Sequence, residues 1–473
     1  MRRCLRLSSC FVLLLWAAYA VAQNVVPPNA YLIHITVVTS DNRKLPDVEI
    51  RVDDTTVGLT DDDGQYYMTR RPIPAGAHTI SAGRRGFGSE SRTISDLARV
   101  FRDPQAPGIE LQFKLVPSAP AGIVLGVRGG VRATSQEPNY DVVPVFYATD
   151  RRDTKSPDPV LRYSSDRSTE ENLALGICEV SIPKAAHRVG ELESPSWWKF
   201  EFNPDPGKHV VLRSVERLDR DPFYERMAAR VAGSSSKEAV VFIHGYNNSF
   251  EDAARQTAQI AYDTKFDGAA ILYSWPSKAR LLAYTEDEDT VQWTAFHLRD
   301  FLDELAKRSH ATKIHLVAHS MGNRALTSAL QMIASREQGP APPFDQVVMA
   351  APDIGADTLA LFARTIRGAS HRLTLYASAN DDALMLSSFI HGAERAGQKA
   401  AYLLVAPGID TVDASAARTD FIGHAYLGQS SSIIDDIQKL FRSGDPPELR
   451  NLLPATLRDL RYWIVPAERT SPR

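Results

Sequence analysis

From Ala239 onward, short apolar runs alternate with stretches of helical period, and few folds accept that rhythm. The runs are Ala239 to Ile243, Ala269 to Tyr273, Ile314 to Ala318, Val347 to Ala350, Leu373 to Tyr376 and Tyr402 to Val405. Ala253 to Phe266 and Thr290 to Ser309 carry helical period between them. Runs this apolar are covered on both faces, which predicts a mostly parallel sheet with helices on each side. Sites in such sheets gather at the carboxyl ends of the strands, so each strand end is a place to look for chemistry.

The third run ends in Ala318-His319-Ser320-Met321-Gly322-Asn323, and Ala325, Leu326, Ala329, Leu330 and Ile333 follow at helical spacing. This reads as strand, sharp turn and helix with a hydroxyl at the apex. Small residues two before and two after the serine let strand and helix pass closely; Ala318 stands where a glycine is usual. Taken alone, Ser320 could equally be the cap of a helix after a buried strand. The other strand ends decide between these readings.

The first run ends in His244-Gly245-Tyr246-Asn247-Asn248, a turn able to aim the Tyr246 backbone N–H at the same space as that of Met321. Two such donors form an oxyanion hole for a tetrahedral intermediate. The same turn also suits a plain helix start capped by Asn248 or Ser249. The second run ends in Ser274-Trp275-Pro276-Ser277; Lys278 to Trp293 then mixes aromatic and acidic residues and reads as a flap, or as a solvated helix start at Glu286 to Asp289. Beyond the elbow come Asp353, then Asp381 and Asp382 after the next strand, and later His424. The order Ser320, Asp381, His424 is the triad order of an α/β-hydrolase fold. In it His424 takes the serine proton and Asp381 orients and stabilises the imidazole. Asp382 and Asp353 are rival acids, and His391 is a rival base that follows the acid strand too closely.

Six blocks together resemble a bacterial α/β-hydrolase family without assigned function. They are Val143 to Arg151, Phe242 to Asn247, Ser274 to Ser277, Ala318 to Arg324, Tyr376 to Asp381 and Gly423 to Tyr426. The resemblance runs from about Val143 to Leu440. It implies the fold and hydrolysis, and it names no substrate.

The chain before this region has a different character. Arg2, Arg3 and Arg6 precede the apolar stretch Phe11 to Ala18, and Ala20-Val21-Ala22 precedes Gln23. Residues 1–22 therefore read as a secretory signal peptide cleaved after Ala22, which predicts a secreted or periplasmic protein. Cleavage would leave Cys178 as the single cysteine, in a strand-like run where it is expected buried. Residues 29–117 have a period of two broken by turn residues, as in a small β-sandwich. Leu45 to Ile50, Thr60 to Tyr66 and Gly76 to Ile80 resemble the carboxypeptidase-regulatory-like (transthyretin-like) domain. The acidic run Asp61 to Asp63 lacks the spacing of a calcium loop and reads as a turn. Residues 118–141 read as a linker and 142–442 as the hydrolase domain. Trp197, Trp198 and Phe200 are read as covering a sheet edge or walling a substrate. The charged and proline-rich residues 443–473 are expected at the periphery.

A net charge of -3 gives no electrostatic case for nucleic acid. No apolar span long enough for a membrane helix follows the signal peptide. No zinc ligand pattern is visible, and no cofactor is expected. The leading reading is an exported serine hydrolase acting on a small-molecule or envelope acyl ester. The alternative is a non-catalytic envelope binding or scaffold protein built on the same fold.

Overall fold

The computed structural model describes residues 31–466 other than 41–43, 46–47, 54, 61–63, 70–76, 85–86, 95–108, 117–137, 195–203, 247, 279–283, 337–341, 379–395, 397–402 and 416–429. The signal peptide, the Asp61 to Asp63 run, Trp197, Trp198 and Phe200 lie outside the described residues. So do Asp381, Asp382, His391 and His424. The chain divides into two compact units, 1–133 and 134–473.

Among the described residues, the first unit holds seven strands: β1 (Tyr31–Thr39), β2 (Glu49–Val52), β3 (Thr55–Leu59), β4 (Gln65–Thr69), β5 (His78–Gly83), β6 (Glu90–Ile94) and β7 (Ile109–Leu115). They form two sheets, ordered β4-β1-β7 and β3-β2-β5-β6. Alternate residues of both sheets meet in one core, including Ile33, Ile35 and Val37 from one and Ile50, Val52 and Ile80 from the other. Gly64 has φ +68, and a Cβ there would stand 2.4 Å from Val37 O, so the turn before β4 demands glycine.

Among the described residues, the second unit is built on one sheet of eleven strands, ordered β12-β11-β8-β14-β13-β15-β16-β17-β18-β20-β19. The strands and helices follow in chain order. First come β8 (Tyr140–Thr149), β9 (Arg151–Asp153), β10 (Tyr163–Arg167), β11 (Ala174–Pro183) and β12 (Val211–Leu218). Then come α1 (Arg220–Gly233), β13 (Glu238–Ile243), α2 (Phe250–Asp263), β14 (Ala269–Ser274), α3 (Tyr284–Arg308), β15 (Lys313–His319) and α4 (Gly322–Ala334). The unit closes with β16 (Phe344–Ala350), α5 (Ala356–Ile366), β17 (Ser370–Ala377), β18 (Asp410–Asp413), α6 (Ser431–Ser443), β19 (Leu453–Leu457) and β20 (Leu460–Ile464). β9 and β10 pair with each other outside the sheet.

From β8 to β18 every neighbouring pair is parallel. The central strands are buried along nearly their whole length, as their uniform apolarity requires. One core lies on each face of the sheet. Cys178 is buried in β11, where desolvation pushes its thiol up and out of reach of ionisation.

Three expectations need correction. Leu403 to Ala406 forms no strand; the parallel strand next to β17 is β18, beyond the left-handed Gly408. There Thr411 and Val412 are buried, and Thr411 Oγ1 donates to Leu404 O at 2.7 Å. The tail after Gly444 is not peripheral. β20 pairs parallel with β18, β19 completes a hairpin, and Trp463 and Val465 are buried. An open sheet edge needs such cover, and a short hairpin supplies it. From Tyr284 the expected flap is the start of the 25-residue helix α3, and its Asp287 points inward and is buried.

Candidate active site

β13 and β15 are neighbours, and their register sets Ile243 opposite Ala318. The turns that follow the two strands therefore leave the sheet side by side. The strand order reverses here: from β13 the chain crosses to β14 on one side and then to β15 on the other. A crevice at the carboxyl edge of a parallel sheet forms at such a reversal.

Ser320 sits at the apex of the turn after β15 with φ +50, left-handed for a residue that has a Cβ. Such a conformation costs on the order of 1 kcal/mol or more and persists only where the surroundings enforce it. Here they do. Ser320 N donates to Ala350 O at 2.9 Å, and Asp353 N donates to Ser320 O at 3.2 Å. The buried Asn323 side chain donates to Ala318 O, Ser320 O and Ala350 O at 3.2, 3.1 and 3.1 Å. α4 leaves at once, with Ala325, Leu326, Ala329, Leu330 and Ile333 buried. A Cβ on Gly322 would stand 2.4 Å from His244 O, so helix and strand do pass at backbone contact.

The turn after β13 lies directly over the serine. A Cβ on Gly245 would stand 2.9 Å from Ser320 Cβ and 2.8 Å from His319 Nδ1. Tyr246 is the next residue, and Ser249 then caps α2 by accepting from Asp252 N at 3.1 Å. Met321, at the start of α4, is buried, and among the described residues its N–H meets no backbone carbonyl. The structure thus brings together Ser320, Met321 and the Gly245-Tyr246 turn. Asp381 and His424 lie outside the described residues. Asp353, the rival acid in the loop after β16, is buried, and its Oδ2 lies 3.5 Å from Arg324 Nη2.

A buried polar layer supports the His-Gly turn, and sequence reasoning did not find it. The His244 ring stacks on Trp275 at 5.2 Å, and Trp275 Nε1 donates to His244 O at 2.7 Å. Burial, and then the nearby Arg151 charge, hold the His244 imidazole well below its ordinary range, so it is neutral. Arg151 itself is almost wholly buried. Its Nη2 donates to Asn248 O at 2.7 Å, and its Nε donates to Ser274 Oγ at 2.8 Å. Asp287 accepts from Ser277 Oγ at 2.7 Å and from Lys278 N at 2.9 Å. Burial pushes its carboxyl up to about 6 against those bonds. The signal for this layer was present as the charged pair Asp150-Arg151 at a strand end. The partners of Arg151 at His244, Asn248, Ser274 and Ser277, 93 to 126 residues away in sequence, were not readable.

A strained serine between a parallel strand and a helix, under a glycine turn from the next strand, defines the class: this unit has an alpha/beta hydrolase fold. Residues 219–443 match the model of the family described as "Alpha/beta hydrolase of unknown function (DUF900)". No curated protein matches the chain. Among solved structures, esterase B from Lactobacillus rhamnosis is similar at 12% identity, over 61% of this chain and 80% of that one, with a TM-score of 0.27. Phospholipase PlaB from Legionella pneumophila is similar at 12% identity, over 48% of this chain and 67% of that one, with a TM-score of 0.26. The C-terminal domain of the Caf1A usher matches 18% of this chain at 17% identity, over 96% of its own length, with a TM-score of 0.13. None of these likenesses is large enough to assign an activity.

Proposed function

We propose that the chain is an exported serine hydrolase that cleaves carboxylic esters through an acyl-enzyme on Ser320. The observation that supports this is the left-handed Ser320 pressed against the Gly245 turn, a strained arrangement that a mere helix cap does not need. Ser320 Oγ attacks the ester carbonyl carbon while His424 takes its proton. Asp381 holds the imidazole in the required tautomer and stabilises its cationic form. The backbone N–H groups of Tyr246 and Met321 bind the negative oxygen of the tetrahedral intermediate. His424 then protonates the departing alcohol, and water releases the acid by the reverse route.

The reading is tested by labelling the folded protein with a fluorophosphonate, beside Ser320→Ala and His424→Ala. Labelling of wild type that both substitutions abolish is the expected result. A folded wild type that neither labels nor hydrolyses p-nitrophenyl acetate overturns it and leaves the envelope scaffold reading. Export with cleavage after Ala22 belongs to the same proposal, and N-terminal sequencing of the mature protein checks it.

A further inference from the structure

We propose that Arg151 is a positioning residue for the oxyanion-binding turn, and that it sets the rate of the chemical step. The inference rests on the serine-hydrolase reading above. The motif Tyr147-Ala148-Thr149-Asp150-Arg151 runs off the end of β8 at Thr149 into the start of β9, and β8 lies two strands from β13 in the sheet. Strands are spaced by about 4.8 Å, so a side chain from β8 must cross the end of β14 to reach the turn after β13. Arginine has that reach. On the way its Nε donates to Ser274 Oγ, where β14 ends. At the far end Nη2 meets Asn248 O at 2.7 Å and His244 Nε2 at 3.3 Å. One planar fork therefore grips both flanks of Gly245-Tyr246, the pair that passes over the serine.

The His244 ring is held at both nitrogens. Its Nδ1 lies 2.8 Å from Gly245 O, and its Nε2 lies 3.1 Å from Trp275 O and 3.3 Å from both Arg151 Nη2 and Ser274 Oγ. Arg151 can only donate, so its bond to the ring uses the neutral tautomer protonated on Nδ1; the tautomer protonated on Nε2 would donate to Trp275 O instead. Asp150 turns the other way. Its Oδ2 accepts from Tyr273 OH at 3.2 Å and from Thr294 Oγ1, and His297 Nδ1 lies 3.1 Å from it. The dipeptide thus ties α3 to the sheet with one side chain and the oxyanion turn with the other.

Stability alone gives no reason for this arginine. Burying a guanidinium costs several kcal/mol, and an apolar replacement of similar volume is commonly as stable or more so. What an apolar side chain does not supply is a directional grip on Asn248 O and His244 from a strand two places away. Oxyanion donors act only within a few tenths of an ångström of the developing charge, and small misplacements cost heavily in rate.

The test compares wild type, Arg151→Lys and Ser274→Ala. Each is active-site titrated with a fluorophosphonate, then assayed on p-nitrophenyl acetate and on its thiono analogue. A thiono sulfur is a poor acceptor, so the ratio of the two rates reports the oxyanion hole and not the folded fraction. Arg151→Lys is expected to lower kcat per titrated site by about 30- to 100-fold with KM within about threefold, and to lower the oxo-to-thiono ratio. Ser274→Ala leaves the guanidinium in place and is expected to cost about 3- to 10-fold in the same direction. If both variants lose only titratable sites and keep kcat and the ratio, the positioning role is wrong and Arg151 merely stabilises. A wild type that neither labels nor turns over sinks the hydrolase reading itself, an outcome the variants cannot mimic.

Discussion

Two buried cations in the hydrolase unit invite comparison. Arg151 lies under the Gly245-Tyr246 turn; His187 lies away from it, between the segment after β11 and the end of α2. His187 Nδ1 is 2.8 Å from Glu193 Oε2, and its Nε2 is 2.7 Å from Asp263 Oδ1. The carboxylates are used further: Asp263 Oδ2 accepts from Gly190 N, and Glu193 Oε1 accepts from Arg188 N, each at 2.8 Å. Burial works against a charge on the imidazole, but the two carboxylates outweigh it and raise it to about 9. Arg151 is a permanent cation whose hydrogen bonds go to carbonyls, hydroxyls and a neutral ring. His187 is a titratable cation clasped by two acids. The first arrangement fixes backbone geometry at every pH and suits a site. The second fastens a loop with a lock that alkali can open.

The comparison predicts that damage near the serine appears in rate and damage at the clasp appears in stability. Ser320→Ala sets the floor, with an expected loss of at least about 10^4-fold in kcat at unchanged melting temperature. Gly245→Ala comes next. Its methyl would meet Ser320 Cβ at 2.9 Å, and the turn must shift to admit it. A loss of about 100-fold in kcat per titrated site is expected, with a modest fall in stability. A rate within threefold of wild type would mean that the turn takes no part in the reaction.

At the clasp the readouts exchange places. Asp263→Asn leaves Glu193 and His187 partly unpaired and is expected to cost about 3 kcal/mol in urea unfolding, with kcat per folded molecule unchanged. The pH response gives the smallest effect. The folded His187 holds its proton up to about 9, against an ordinary value of 6.5. Its contribution is therefore complete below pH 6.5 and is lost as pH rises through about 9. The loss amounts to a few kcal/mol at most, on the order of 3. His187→Gln should flatten that alkaline limb. An unchanged limb would show that another group carries it.

Much of the hydrolase unit was legible because its signals are local. Six apolar runs gave five of the parallel strands, and the spacing after Ser320 gave the buried face of α4. The sixth run, Tyr402 to Val405, misled because an apolar segment that covers a sheet reads the same as one inside it. The tail misled for the opposite reason: β19 and the start of β20 are exposed over much of their length, Leu453 and Leu460 included, and burial sets in only at Trp463 and, just past β20, Val465. In the acidic start of α3, Glu286 and Asp289 are exposed, Glu288 is half-buried against Arg324, and Asp287 alone is buried. Asp287 is buried only because Ser277 and Lys278 happen to meet it.

The sequence by itself determined the alternation of strand and helix, the small residues around Ser320 and the glycine that follows His244. These depend on neighbours within one turn of chain, where steric rules act without knowledge of the rest. Only the tertiary structure decided that Ile243 stands opposite Ala318, so that two turns share one crevice. It alone decided that Arg151 spans from β8 to the turn after β13. Strand order and register are properties of the whole sheet. A charged residue at a strand end carries no local mark of which distant carbonyl it will hold.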